Sequence, residues 1–365
     1  MTDVLDHLEA PDRPSYRLPP EAYFDPAWYE SEVRELFGRT WNLVGHTSEL
    51  AATGDFITAK VGTDPVVVVR DTDGELRGFL NMCRHRGMAI VDGAGSCGAA
   101  LRCGYHGWEF GLDGSLGRVP QRKTQFPDLD SDRLGLYPVA VQSWGGFVFV
   151  HSDPAAGPEF AEWLGDFPDH CGDYPWESLV EVGRTVVPLA CNWKLYIENH
   201  IDWLHLWYLH QDSLRQYEHH EATYATTGLH WYSAEQLRDG EPLYDPAGVR
   251  PIPGVSDAER HVLRANLIFP NVPMAFMGNI VQSYAVVPTG PETCELDIRS
   301  YGTPGSVITE RTRQDGLLIL RDEDGVACEQ MQVAVHSPRF EVGPLAVEHE
   351  RPIADFHRNL LTFLA

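Results

Sequence analysis

Long apolar runs and positive charge are both scarce in this sequence. No stretch of the 365 residues approaches the ~18 to 20 uninterrupted apolar residues that a membrane helix requires. Lysine and arginine number 28 against 53 aspartates and glutamates, which gives a formal net charge of -25. Because phosphate backbones are bound by cationic surfaces, this balance argues against nucleic acid. We therefore expect neither a membrane nor a nucleic-acid partner.

Cysteine is sparse as well. The seven cysteines are an odd number scattered over a long chain, which makes a poor disulfide framework and a better source of metal ligands. Residues 1–14 are acidic and polar, with no basic start followed by an apolar run, so no signal or transit peptide is visible. These features predict a reducing, cytoplasmic environment.

The chain length allows about two domains, because a domain averages ~150 residues. Asp25 and Pro26 form a helix start, and the amphipathic segment that follows ends at Gly38. From about residue 54 to residue 150, short β runs alternate with turns, which predicts a small antiparallel β domain.

Beyond His151, loops rich in proline and glycine alternate with strands and with two stretches of helical periodicity, at 192–210 and 312–336. This part is predicted to be α+β. We assign residues 40–152 to the first domain, and residues 1–39 and 153–365 together to the second.

Two pairs of metal ligands lie within the β segment. Cys83 and His85 form the first pair, and Cys103 and His106 form the second, with 17 residues between His85 and Cys103. A Rieske [2Fe-2S] cluster requires two thiolates on one iron and two imidazoles on the other, so each loop must supply one ligand of each type. This arrangement predicts such a cluster.

A structural zinc site is the alternative, because it uses the same ligand types. Zinc motifs, however, usually place two cysteines on one loop and two histidines on the other, whereas both loops are mixed here. Nearby glycines would let the backbone approach the sulfides and donate hydrogen bonds to them: Gly87, Gly104 and Gly107.

The stretch 192–210 is crowded with further potential ligands. His200, Asp202, His205 and His210 cannot all bind one metal. On a regular helix, His205 and His210 would be separated by roughly 140 degrees, so both can face one ion only if the helix is distorted or ends between them. Taken singly, each histidine is more commonly a structural or surface residue.

A site with two histidines also needs a carboxylate, and Asp324 is the best candidate. It interrupts the apolar stripe of the later helical stretch with a charge. Because an unpaired buried carboxylate is costly, Asp324 should have a cationic partner. Its neighbours are predicted to be solvated or to support the ligands: Asp322, Glu323 and Glu329.

These segments resemble the Rieske-type non-haem iron oxygenases, the aromatic-ring-hydroxylating family. The resemblance rests on C-x-H-(17)-C-x-x-H, on Glu198 through His210, and on Glu323-Asp324 through Gln332. It implies an α+β fold with a Rieske β domain and a larger helix-grip (START-like) catalytic domain. The cluster ligands would be Cys83, His85, Cys103 and His106.

The resemblance further implies that His205, His210 and Asp324 hold a mononuclear Fe(II). Asp202 would be a bridging carboxylate that hydrogen-bonds an iron-ligating histidine and reaches a cluster histidine of a neighbouring subunit, and Asn199 would lie near the metal. The expected co-substrate is O2. Electrons would come from NAD(P)H through a reductase, with or without a ferredoxin, and the expected assembly is a homotrimer.

The substrate is the least determined part. The expected reaction is hydroxylation of a small organic molecule, aromatic or not, by monooxygenation, dioxygenation or oxidative demethylation. Candidate pocket residues are Trp207, Phe276, Met277 and Asn279, although aromatic side chains near such motifs are more often core. An electron-transfer protein without its own oxygenase chemistry is the alternative function. Arg84, Arg86 and Arg102 form a cationic patch for an acidic ferredoxin or are simply solvated.

Overall fold

The computed structural model describes residues 15, 17–153, 160–341 and 343–364. Residues 1–14, in which no leader is predicted, lie outside these ranges. The chain divides into two compact units, of which one is Val33–Phe160 and the other is formed by the rest of the described chain. No helix within the described ranges is long and apolar enough to cross a membrane.

The smaller unit is built on one seven-stranded antiparallel sheet and one hairpin. Its strands are β1 Asn42–His46, β2 Asp55–Val61, β3 Asp64–Arg70, β4 Leu76–Leu80, β5 Ala94–Ser96, β6 Ala100–Arg102, β7 Glu109–Gly111, β8 Pro138–Trp144 and β9 Phe147–His151. The sheet has the order β1-β9-β8-β4-β3-β2-β5, and β6 pairs with β7. The predicted antiparallel β domain is confirmed.

Four consecutive valines place β3 at the centre of this unit. Because successive side chains of a strand point to opposite faces, Val66 and Val68 pack into one core, and Val67 and Val69 pack into another. The second of these cores contains both cluster cysteines. One face of the sheet therefore packs against the two loops that carry these cysteines.

The larger unit has a second seven-stranded antiparallel sheet, with the order β10-β16-β15-β14-β13-β12-β11. Its strands are β10 Val180–Leu189, β11 Thr223–Thr227, β12 His230–Gln236, β13 Val262–Ile268, β14 Val272–Met277, β15 Ile280–Gly290 and β16 Thr293–Gly302. With the helices packed on it, this sheet gives the α+β fold that the sequence predicts.

The α-helices are α1 Pro26–Ser31, α2 Arg122–Gln125, α3 Phe160–Leu164, α4 Trp193–Ile201, α5 Asp257–Arg260, α6 Glu310–Leu317, α7 Asp324–Ala334 and α8 Arg351–Leu364. Two π-helical segments are Glu32–Leu36 and Leu318–Glu323. Short 3-10 turns are Pro20–Tyr23, Phe37–Arg39, Thr47–Leu50, Ser131–Arg133, Phe167–His170, Trp176–Ser178, His205–Trp207 and His219–Glu221. As predicted, Asp25 caps α1, accepting a 2.8 Å hydrogen bond from Ala27 N. The α-helical part ends earlier than Gly38, because the segment changes to a π turn after Ser31.

A buried ion pair fixes helix α4. Lys194 Nζ lies 2.6 Å from Glu32 Oε1, and both side chains are 0% exposed. Trp193 Nε1 donates to the other oxygen of Glu32 at 2.8 Å. Burial raises the pKa of Glu32 and lowers that of Lys194, so each group depends on its partner to remain charged. The pair ties the amino-terminal segment to the helix that leads into the candidate site.

Candidate functional site

The two loops with the cysteine and histidine pairs have the same backbone geometry. Gly87 N donates to Cys83 O at 2.8 Å, and Gly107 N donates to Cys103 O at 3.1 Å. Cys83 N in turn donates to Met88 O, and Cys103 N donates to Trp108 O. Both glycines have positive φ angles, 78° and 71°, which disfavour any residue with a Cβ. Each loop is thus a tight turn that presents a cysteine and a histidine together.

The four side chains separate by type. Cys83 and Cys103 are buried, whereas His85 is half-buried and His106 is exposed. Burial raises the pKa of the Cys83 thiol, and the nearby thiol of Cys103 adds to the effect. The two imidazole Nδ1 atoms face each other at 3.2 Å. Thiols on one side and paired imidazole nitrogens on the other match the ligand set of a Rieske cluster.

A single zinc ion fits these four residues less well. Within the described residues, the group of three or more potential ligands whose atoms lie within 4.8 Å of one another is a different one, His205, His210 and Asp324. Described cysteines are all free thiols.

The neighbours of the cluster histidines hold the rings in place. Trp108 stacks on His85 with ring centroids 4.9 Å apart and an interplanar angle of 10°. The guanidinium of Arg84 lies over Tyr137 and donates to Gly135 O, so this residue of the predicted cationic patch also has a structural role. Arg86 and Arg102 are exposed.

The second candidate site begins where helix α4 ends. The helix stops at Ile201, and Asp202 adopts an extended conformation with φ -78° and ψ 120°. His205 then lies in a 3-10 turn and His210 in the following loop. Because neither histidine is held at α-helical spacing, both can reach one point, as the sequence argument requires.

The side chains of His205, His210 and Asp324 converge. Their ligand atoms all lie within 4.8 Å of one another. The Nε2 atoms of His205 and His210 lie 3.6 Å and 2.9 Å from Asp324 Oδ1. Two imidazoles and one carboxylate meeting on one side of a point form the donor set of a facial triad for non-haem iron(II).

Hydrogen bonds at the opposite ring nitrogens orient both imidazoles. His205 Nδ1 donates to the backbone carbonyl oxygen of Asp202 at 2.7 Å. His210 Nδ1 donates to Glu323 Oε2 at 2.7 Å, and Ser213 Oγ donates to the same oxygen at 2.7 Å. These bonds leave Nε2 of each ring free to bind a metal.

The charges at this point stabilise each other. Burial would raise the pKa of Asp324, but hydrogen bonds from His205 and His210 outweigh it and hold the pKa well below its usual value. Burial would lower the pKa of His210, but the bonds to Asp324 and Glu323 raise it. Asp324 thus has the cationic partner that the sequence analysis requires.

His200 hydrogen-bonds to other protein groups through both of its ring nitrogens. Its Nε2 donates to Asn266 O at 3.0 Å, and its Nδ1 accepts from Tyr284 OH at 3.0 Å. Burial lowers the pKa of His200 to about 4, so the ring is neutral. Both nitrogens are used within the protein, which separates His200 from the two converging histidines.

Asp202 and Asn199 lie beside the triad. The side chain of Asp202 does not make the expected hydrogen bond to His205, because its Oδ2 lies 3.9 Å from His205 Nδ1. The backbone carbonyl oxygen of Asp202 accepts that hydrogen bond instead, at 2.7 Å. Oδ1 instead accepts from Leu204 N at 2.7 Å. Burial raises the pKa of Asp202. Asn199 is buried, as a residue close to the metal would be.

A cavity of about 330 Å³ opens against the triad. One face of the sheet forms its floor, through residues of β13, β14 and β15. Ala265 of β13 and Ala275 of β14 are direct cross-strand neighbours, so two small side chains leave space where larger ones would fill it. Asn199 and His205 also line a second cavity, of about 510 Å³, together with Asp202.

Of the predicted pocket residues, only Met277 lines the cavity at the triad. Phe276, next to it on the strand, points the other way and packs against Trp176. Asn279 bonds to Arg260 and Asp245. Trp207 packs between His220 and His349. These three residues lie outside the lining of this cavity.

Some residues of the site have no local sequence signal. Glu235 of β12 and Tyr284 of β15 line the cavity because the sheet brings distant strands together. Ser213 supports Glu323 across 110 residues of chain. Only Glu323, adjacent to Asp324, could be suspected from the sequence.

Two known families match the chain. Residues 40–141 match the Rieske [2Fe-2S] domain, and residues 176–365 match the ring hydroxylating alpha subunit (catalytic domain). The chain belongs to the ring-hydroxylating alpha subunits. The predicted resemblance, the iron cofactors and the oxidoreductase class are thereby confirmed for this alpha subunit.

Curated relatives of this alpha subunit include mono- and dioxygenases. It is 38% identical over 199 residues to biphenyl 2,3-dioxygenase subunit alpha of Rhodococcus jostii, an alignment that covers 53% of this chain and 43% of that protein. It is 28% identical to choline monooxygenase of Beta vulgaris, over 96% of this chain and 77% of that protein. A solved quaternary ammonium Rieske monooxygenase has the same fold, with a TM-score of 0.84 at 23% identity, over 98% of this chain and 97% of that one.

Proposed function

We propose that this alpha subunit is an O2-dependent oxygenase that hydroxylates a small organic substrate. In this proposal electrons come from NAD(P)H through a reductase, with or without a ferredoxin, and the protein acts in the cytoplasm, where NAD(P)H is available. The observation that carries the proposal is the convergence of two histidines and one carboxylate on the wall of a cavity. An electron carrier alone would need no second metal site beside a cavity.

In the proposed site His205, His210 and Asp324 hold iron(II), and Cys83, His85, Cys103 and His106 hold the cluster. When bound, the cluster supplies single electrons, and the iron activates O2 at coordination positions that the protein leaves open. The apolar walls of the cavity exclude water from the reacting substrate. The hydrogen bonds at both Nδ1 atoms keep the ligand nitrogens aimed at the metal.

Asp202 is proposed to link subunits in a homotrimer. It touches His205 through its backbone and borders the second cavity. In a trimer its carboxylate would approach His85 or His106 of a neighbouring copy, and the exposure of His106 supports this pairing. Inter-subunit electron transfer is described for the quaternary ammonium Rieske monooxygenase that shares this fold.

Monooxygenation is the proposed outcome. The choline monooxygenase alignment spans nearly the whole chain, whereas the dioxygenase alignment covers about half of it.

The proposal is tested by measuring iron and acid-labile sulfide on anaerobically purified protein. We expect about three irons for every two sulfides, one of them lost in Asp324→Ala with the sulfide unchanged. Two irons for two sulfides, not increased by added iron(II), would leave only an electron carrier. Zinc without sulfide would contradict both metal sites.

A further inference from the structure

A second buried carboxylate, besides that of Asp324, lines the cavity. Glu235 lies on β12, and its side chain is 0% exposed. It heads a cross-strand row on the cavity side of the sheet, in which Leu263 is its neighbour and Met277 comes next. Glu235 is therefore part of the cavity wall and borders the space that the proposed substrate would occupy.

One oxygen of this carboxylate is satisfied and the other is not. His219 Nδ1 donates to Oε2 at 2.5 Å. No residue that the structure describes donates a hydrogen bond to Oε1, which is buried. Because a buried acceptor is normally paired, an oxygen without a protein donor in a cavity wall points to a ligand group that pairs with it, through an N–H donor or through positive charge.

The other lining residues also favour a positively charged ligand group beside Glu235. No lysine or arginine lines the described cavity, and its acidic residues other than Asp324 are Glu235 and Asp315. Tyr217 and Tyr244 lie on the same wall, and the pKa of Tyr217 is raised by burial and by the charge of Glu235. Aromatic rings beside a carboxylate form a good environment for a cation, whereas the basic side chains of the described lining are three histidines, of which His205 and His210 are the candidate metal ligands.

We propose that the substrate carries a positively charged nitrogen, and that Glu235 with Tyr217 and Tyr244 forms the site that binds it. This inference rests on the proposed function, because it assigns a substrate-binding role to other residues of the same cavity. Both a protonated amine and a fully alkylated ammonium share the required charge. A cavity of about 330 Å³ limits the substrate to a small molecule.

The test is calorimetric titration of the anaerobic holoenzyme, without turnover. The ligands are benzylammonium, its neutral isostere ethylbenzene, and tetramethylammonium and benzyltrimethylammonium. We expect benzylammonium to bind at least about tenfold more tightly than ethylbenzene, because only the ammonium can make a charge-assisted hydrogen bond to Oε1. Equal binding of benzyltrimethylammonium would support recognition through charge and rings, and weaker binding would support recognition through an N–H donor.

Glu235→Gln supplies the residue-level test. Its amide oxygen can still accept from His219, so its NH2 group, a donor, takes the place of Oε1. We expect the preference for benzylammonium over ethylbenzene to fall below about twofold in this variant. Glu241→Gln is the matched control, because it removes the same charge from an exposed position and should keep the full preference.

Three results would overturn the inference: ethylbenzene binding as tightly as benzylammonium, no ammonium ion binding at all, or Glu235→Gln keeping the preference. The first two need only the unaltered protein, so a variant that fails to fold does not prevent the test. Because the oxygenase proposal depends on iron and sulfide analysis, a negative titration with three irons present would reject this substrate class alone.

Discussion

Glu323 should set the affinity of the mononuclear site for iron although it is not a ligand. Its Oε2 accepts hydrogen bonds of 2.7 Å from His210 Nδ1 and from Ser213 Oγ. In Glu323→Gln the amide oxygen can still accept from Nδ1, so His210 keeps its orientation but loses the charge that makes its Nε2 a stronger ligand. The variant thus isolates the electrostatic part of the contact.

The expected loss follows from this geometry. Removing a partner of a metal-bound histidine typically costs 10- to 100-fold in metal affinity. Here the bond survives in neutral form, and the Glu323 side chain is 21% exposed, so solvent already screens part of its charge. We therefore expect the lower end, about tenfold weaker iron binding, equivalent to about 1.4 kcal/mol.

The assay is anaerobic competition for iron(II) with a chromogenic chelator, with the visible absorbance of the cluster as an internal measure of intact protein. Asp322→Asn is the control, since it removes an exposed charge from the same π-helical segment. Native affinity in Glu323→Gln, or an equal loss in Asp322→Asn, would refute the reasoning.

Three further predictions follow from buried groups. Iron must displace a proton from His210, whose pKa is raised above 6.5. The affinity for iron should therefore fall as the pH is lowered, and the fall should begin at a higher pH than for an ordinary imidazole. Chelator competition from pH 6 to 8 checks this, and an affinity that does not change with pH would contradict it. Lys194→Met should lower the free energy of unfolding by about 3 to 5 kcal/mol in urea, because Glu32 is left buried and uncompensated; a loss below about 1 kcal/mol would be evidence against the ion pair. Ala275→Leu should fill the cavity and abolish substrate turnover while iron content stays native, whereas unchanged turnover would place the substrate elsewhere.

The sequence was most informative where chemistry is encoded locally. Both cluster loops are short segments in which ligand spacing and glycine suffice. That regular helix cannot bring His205 and His210 to one ion could be inferred from their spacing. The position of the break could not, because the sequence argument allowed it between the two histidines whereas α4 ends at Ile201, before both. The burial of Asp324 followed from its place in an apolar stripe.

The cavity could not be inferred in the same way. Its lining combines strands β12 to β15 with segments that precede and follow them in the chain, and no local pattern tells which face of a strand meets it. Phe276 and Met277 show the difficulty, because adjacent residues point in opposite directions and only the sheet packing decides between them. The space left by Ala265 and Ala275 depends on strand register, which requires the fold.

The π-helical segment Leu318–Glu323 has a consequence for how this scaffold can change. A π turn holds one residue more than an α turn, so it acts as a joint between two stretches of helix. Within its first half, Leu318 and Leu320 form part of the cavity wall, and directly after it Asp324 begins α7. Losing one residue in this turn would restore regular winding and rotate the wall residues by about 100 degrees relative to Asp324. The shape of the cavity can therefore diverge between related proteins while the metal-facing carboxylate keeps its direction.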